Sequence, residues 1–232
     1  MHLPEPDDQT IAATRASLQV VAEHLLSADL HRHTGRIGLR QTPGGFGTPT
    51  FIVGDVTRQL RVAASGLVVR HGDERHLFPL TTIGELAEES GIIAGAPSDV
   101  YSPTTTLDLD APLVADHPAI DHLAVFLRHS ADALERLVAD HPDDEATSPQ
   151  LWPEHFDFAL SIGEVNYGAC LGDSSHDLPY LYVGPWTART GDFWTEPFGA
   201  ALTWTSDVST DDMLAFFAEG FDHAAADPVA AT

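Results

Sequence analysis

The chain has 232 residues and a mass of 24.9 kDa, enough to bury about 70% of its unfolded surface in one large domain or two small ones without disulfide staples. Its composition excludes a disordered tail, its single cysteine excludes an internal disulfide, and no apolar run reaches the roughly 18 residues of a membrane span. Eleven arginines, no lysine and 35 acidic residues give a net charge of −24, which repels nucleic-acid backbones and anionic membranes and attracts metal ions and cationic ligands. The acidic opening lacks the basic n-region of a signal peptide, so the expected setting is the cytoplasm.

In chain order, residues 10–27 read as an amphipathic helix, with Ile11, Leu18, Val21, Ala22 and Leu25 at helical spacing and Asp8 or Thr10 as the cap. Residues 35–40 look like a short strand that runs into a glycine-rich loop at 42–49. From Thr50 to Leu80 the signal is β throughout, with turns at Gly66 and at His71-Gly72-Asp73-Glu74. Thr82 and Glu85 form a capping-box pattern for a helix through Ser90, which Gly91 ends. Four prolines punctuate residues 94–118, which read as an ordered connector. A long helix follows, capped by Asp116 and carrying Ile120, Leu123, Leu127, Leu134 and Val138 on its apolar face. The remainder is β from Leu151 on, with strands at 155–162, 165–169, 180–183 and 198–204, and a final helix capped at 210–212.

The short turns between strands imply antiparallel pairing, and the order of elements gives an α+β class in which each half reads helix, strands, helix. The expected division is 1–93, a proline-rich connector at 94–117, and 118–232. The glycine-rich loop has neither GK[ST] nor the G-x-G-x-x-G spacing before a helix, so a wide turn or bulge fits it better than a phosphate cradle.

Chemical groups are densest between Leu151 and Pro197. A strand from His155 sets His155 and Asp157 on one face, with Phe156 and Phe158 on the other. Glu164 and Asn166 share a face of the next strand, and Asp173, His176 and Asp177 occupy the loop beyond it. Such a convergence suits an acid–base pair, with His155 as base beside Asp157, or a divalent metal held by His155, Asp157 and His176. The ordinary reading of the same residues is local polar pairing of His155 with Asp157. Tyr180 and Tyr182 share a strand face opposite Leu181 and Val183, and with Trp186 they form an aromatic platform of the kind that binds sugars or organic cations. Cys170 lies in acidic surroundings that disfavour a nucleophilic thiolate.

Two groups of segments carry a resemblance. One is Gly35-Arg36-Ile37-Gly38-Leu39-Arg40 with Thr42-Pro43-Gly44-Gly45-Phe46-Gly47-Thr48-Pro49. The other is Leu151-Trp152-Pro153-Glu154-His155-Phe156-Asp157 with Asn166-Tyr167-Gly168-Ala169 and Pro179-Tyr180-Leu181-Tyr182-Val183-Gly184-Pro185-Trp186. Together they resemble a family of uncharacterised actinobacterial proteins, over about residues 15–220. The resemblance implies a bacterial cytoplasmic protein forming one complete unit, and it supplies no catalytic residue.

The expectation is therefore a small-molecule site over the second-half sheet. His155 and Asp157 are its polar centre, Glu164, Asn166 and His176 support them, and Tyr180, Tyr182 and Trp186 form its walls. A catalytic role for His155 and Asp157, a divalent metal, and the oligomeric state stay open. The rival is a non-catalytic module that uses the aromatic face to bind another chain or itself.

Overall fold

The computed structural model describes residues 6–230. Its contacts divide the chain into two units. The first takes the described residues up to Val125 together with Leu151–Phe156, and the second takes Phe126–Gln150 and the described residues from Asp157 on.

In the first unit, α1 (Asp8–Val21) starts at Asp7, whose carboxylate accepts from Thr10 N at 2.7 Å. The helix continues through a π-helical stretch, Ala22–Ser27, into α2 (Ala28–Thr34), which Gly35 stops at φ 70°. It is longer than the sequence pattern predicts, because every residue from Val21 to Leu30 is buried. A helix covered on all sides shows no one-sided apolar stripe to follow.

Six strands come next: β1 (Arg40–Thr42), β2 (Gly45–Gly47), β3 (Phe51–Val53), β4 (Val56–Ala63), β5 (Gly66–His71) and β6 (Glu74–Phe78). They pair antiparallel in the order β1-β2-β4-β5-β6, with β3 also on β4. Two-residue loops join β3 to β4 and β5 to β6, each opened by a glycine at φ 61°, Gly54 and Gly72, a backbone conformation that tight hairpins require. Much of the glycine-rich segment is itself a strand. Pro43-Gly44 makes the turn, and β2 then presses against β4 so closely that a Cβ on Gly45 would lie 2.1 Å from Val62 O. A helix α3 (Ile83–Ser90) follows, capped by Thr82, which accepts from Glu85 N, and ended by Gly91 at φ 70°. Residues 91–116 form neither helix nor strand. Helix α4 (His117–Asp140) begins where Asp116 accepts from Ala119 N at 2.9 Å.

The second sheet runs β11-β10-β9-β8-β7 and is antiparallel in β8–β11, where β7 is Gln150–Trp152, β8 Asp157–Ile162, β9 Val165–Cys170, β10 Tyr180–Pro185 and β11 Ala200–Thr203. Helix α5 (Thr210–Ala226) covers one face of it. Phe217 meets Tyr167 edge-on at 6.3 Å, and Gly220 lets the helix approach until a Cβ there would lie 2.5 Å from Val183 Cγ2. Ser209 caps α5 in a reciprocal box with Asp212. Together these elements are an α+β fold with antiparallel sheets, as the sequence predicts. No helix of the described residues is long and apolar enough to cross a membrane.

Candidate functional site on the second sheet

The strand register decides which side chains meet. Asp157, Cys170 and Tyr180 stand opposite one another across β8, β9 and β10, and Ala159, Gly168 and Tyr182 form the next row on the same face. The opposite face carries Leu160, Tyr167, Leu181 and Val183 beneath α5. The polar groups are therefore sorted onto the face that α5 does not cover.

Tyr182 lies across Gly168, where a Cβ would come within 2.4–2.6 Å of its ring. Its hydroxyl donates to Asp157 Oδ2 at 2.5 Å, and Asp157 is buried. Tyr180 donates to Asp173 Oδ2 at 2.7 Å, while Asp173 Oδ1 accepts from the backbone N–H groups of Ser175 and His176. Burial opposes ionisation of Asp173, but these hydrogen bonds outweigh it and hold the carboxyl below its usual range. Burial first, and Asp157 second, push the Tyr182 phenol well above its usual range, and burial with Cys170 and Asp173 does the same for Tyr180. Both phenols thus stay protonated donors. Burial and the Asp157 charge push the Cys170 thiol up to about 12, which leaves no thiolate for nucleophilic work near neutrality.

The His176 ring packs on Tyr180 with centroids 4.6 Å apart, and Phe198 closes the group at 6.3 Å from Tyr182 and 6.4 Å from Tyr180. His176 Nε2 faces Glu196 Oε1 at 3.4 Å, and its Nδ1 is buried without a hydrogen-bond partner among the described residues. At the other end of the face, Asn166 Oδ1 accepts from Ser161 Oγ at 2.7 Å and from Trp186 Nε1 at 3.1 Å.

The fold thus gathers Asp157, Tyr182, Tyr180 and His176 at one end of the face and Asn166 with Trp186 at the other. Glu164 is exposed in the Gly163-Glu164 turn, where its carbonyl accepts from Trp186 N at 2.9 Å. His155 does not share a strand face with Asp157, because β8 begins only at Asp157. Residues 153–156 form a turn with Phe156 N donating to Trp152 O at 2.8 Å, and Phe156 takes φ 50°, which breaks the alternation. His155 is exposed in the first unit, and Asp157 opens the first long strand of the second. Among the described residues no group of three or more His, Cys, Asp or Glu side chains is placed to hold a metal ion.

A second polar cluster, in the first unit, escapes the sequence reading. Glu23, fully buried in the π-helical stretch, accepts from the backbone N–H groups of Thr104 at 3.0 Å and Thr105 at 2.9 Å and from the Thr105 hydroxyl. His24 Nδ1 accepts from Ala96 N at 3.1 Å, so Nε2 carries the proton and donates to Thr105 Oγ1 at 3.1 Å. That tautomer excludes a Thr–His nucleophile pair, since the imidazole has no lone pair left to take the hydroxyl proton. The visible signal was a titratable pair, Glu23-His24, inside the apolar run from Val20 to Leu26. Its partners lie more than 70 residues away, beyond any local pattern.

No family model matches the chain, and no curated protein and no solved structure matches it either.

Proposed function

We propose that the protein binds a small molecule over the polar face of its second sheet, at the end built by Asp157, Tyr182, Tyr180 and His176. The observation that carries this reading is the Tyr182–Asp157 pair. A carboxylate and a phenol hydrogen-bonded to each other in a mostly buried setting present acceptor oxygens in fixed positions, with the rings of Tyr180 and Phe198 beside them. Asn166 and Trp186 offer a second contact point along the same face, and Glu164 borders it. In this reading Asp157 anchors the site as an acceptor, and His155, which stands outside strand β8, has no part. The net charge of −24 supports a neutral or cationic ligand in a cytoplasmic setting and disfavours nucleic acid.

A rival reading, self-association through the same face, draws support from Trp186, whose surface is 65% exposed. Thermal-shift screening of neutral sugars, small amines and small acids tests both, run beside sedimentation of the free protein. The expected result is a saturable rise in melting temperature with one ligand class, lost in His176→Ala and Phe198→Ala, at unchanged monomer mass. A concentration-dependent mass that Trp186→Ala abolishes, with no ligand shift, would establish the rival.

A further inference from the structure

Three buried polar atoms of the first unit make no hydrogen bond among the described residues: Ser27 Oγ, Tyr101 Oη and Glu154 Oε2. The Tyr101 phenol lies within reach of the Ser27 hydroxyl without a hydrogen bond of good geometry, and it feels the charges of Glu23 and Glu154. Thr104, three residues after Tyr101, donates to Glu154 O at 2.8 Å and so brings Glu154 to the same segment. Ser27 is fully buried, and it ends the π-helical stretch, where an extra residue widens the helix.

Residues 95–105 are strapped across this place. Gly95 N donates to His24 O at 3.0 Å, Ala96 N donates to His24 Nδ1, and Thr104 and Thr105 donate to Glu23. The backbone of Glu154 is tied to the same strap by Thr104 Oγ1 at 2.8 Å, and Gln19 Nε2 reaches it at 3.2 Å. Tyr101 belongs to the strap itself. Glu154 belongs to the Leu151–Asp157 segment that stands out in the sequence, and the sheet-face site makes no use of it.

Native folds leave few buried polar atoms unpaired, because desolvation without a partner costs free energy. Three together call for a common partner. A carboxylate oxygen demands a donor, while the two hydroxyls can each donate or accept. An anion is disfavoured by Glu23 and Glu154, and the described residues offer no three-ligand metal set. We propose that Ser27, Tyr101 and Glu154 form a closed site beneath the 95–105 strap for a guest of hydroxyl chemistry, either one water molecule or the hydroxyl of a small alcohol or sugar. The site belongs to the other unit and is independent of the sheet-face reading.

The sign of a stability change tests it. With a guest, Tyr101→Phe and Ser27→Ala each remove a hydrogen bond, and the melting temperature falls by about 2–4 °C per variant. Tyr101→Phe combined with Glu154→Gln then costs less than the sum of the two, because both act through the same guest. Without a guest, each single variant removes only an unpaired oxygen, and an unchanged or raised melting temperature in both overturns the proposal. Native mass spectrometry of the unaltered protein distinguishes the sources, since retained extra mass identifies an organic hydroxyl and the bare chain mass identifies water. A high-resolution crystal structure of the unaltered protein gives a check that needs no variant to fold. Density bonded to the three oxygens supports the site, and side chains packed directly onto one another overturn it.

Discussion

Tyr182 reaches Asp157 only by passing over Gly168. The phenol oxygen lies 2.5 Å from Asp157 Oδ2, and Gly168 is the residue paired with Tyr182 on the neighbouring strand. A single methyl group at position 168 would occupy the space of the ring. Gly168→Ala should therefore expel Tyr182 and lower stability by about 1–3 kcal/mol, the size of an overpacking penalty. Urea denaturation measures the loss, and near-ultraviolet circular dichroism reports the displaced tyrosine.

Removing the donor alone asks a different question. Tyr182→Phe keeps the ring over Gly168 and removes the phenol's hydrogen bond to a buried carboxylate, for a cost of about 1–3 kcal/mol. Replacing both partners, as Tyr182→Phe with Asp157→Leu, should restore part of that loss, because the buried carboxylate that lost the phenol is removed with it. A double-mutant cycle by chemical denaturation checks the coupling.

The antiparallel architecture was legible because hairpin turns leave marks. Gly54, Gly72 and Gly163 each open a two-residue loop at positive φ, and Phe158, Leu160 and Ile162 alternate along β8. The same alternation placed Tyr180 and Tyr182 on one face opposite Leu181 and Val183. It failed at His155, because Phe156 adopts a left-handed conformation that its side chain does not advertise, and the strand starts two residues late. The π-helical stretch was invisible for a different reason. Its burial is continuous around the helix, and the residues that satisfy Glu23 and His24 come from a proline-punctuated segment with no periodicity.

His24 makes stability depend on pH. Burial lowers its pKa below the ordinary 6.5, against the opposing pull of Glu23. The unfolded chain therefore binds the proton more readily than the folded one, and His24 costs stability progressively as pH falls below about 6.5 toward the lowered folded value. The charged ring would also turn an N–H toward Ala96 N–H and break that hydrogen bond. His24→Gln should flatten this part of the stability–pH curve, which denaturation series between pH 5 and 8 would record.

Cys170 is held as an inert thiol. With its pKa pushed up to about 12 and its side chain buried, it should resist iodoacetamide at pH 8 in the native protein and react fully once unfolded. Mass spectrometry after timed labelling reads this directly. Tyr180→Phe removes a donor to Asp173 beside the thiol and should speed native labelling by loosening the loop at 173–177.

The proposed ligand site on the second sheet is tested most directly by two-dimensional amide NMR of the assigned protein during titration with the ligand class that screening selects. The account predicts saturable shifts that start at Asp157, Gly168, Cys170, His176 and Tyr182, with one common dissociation constant. Shifts confined to residues away from this face, or none with any class, would contradict it.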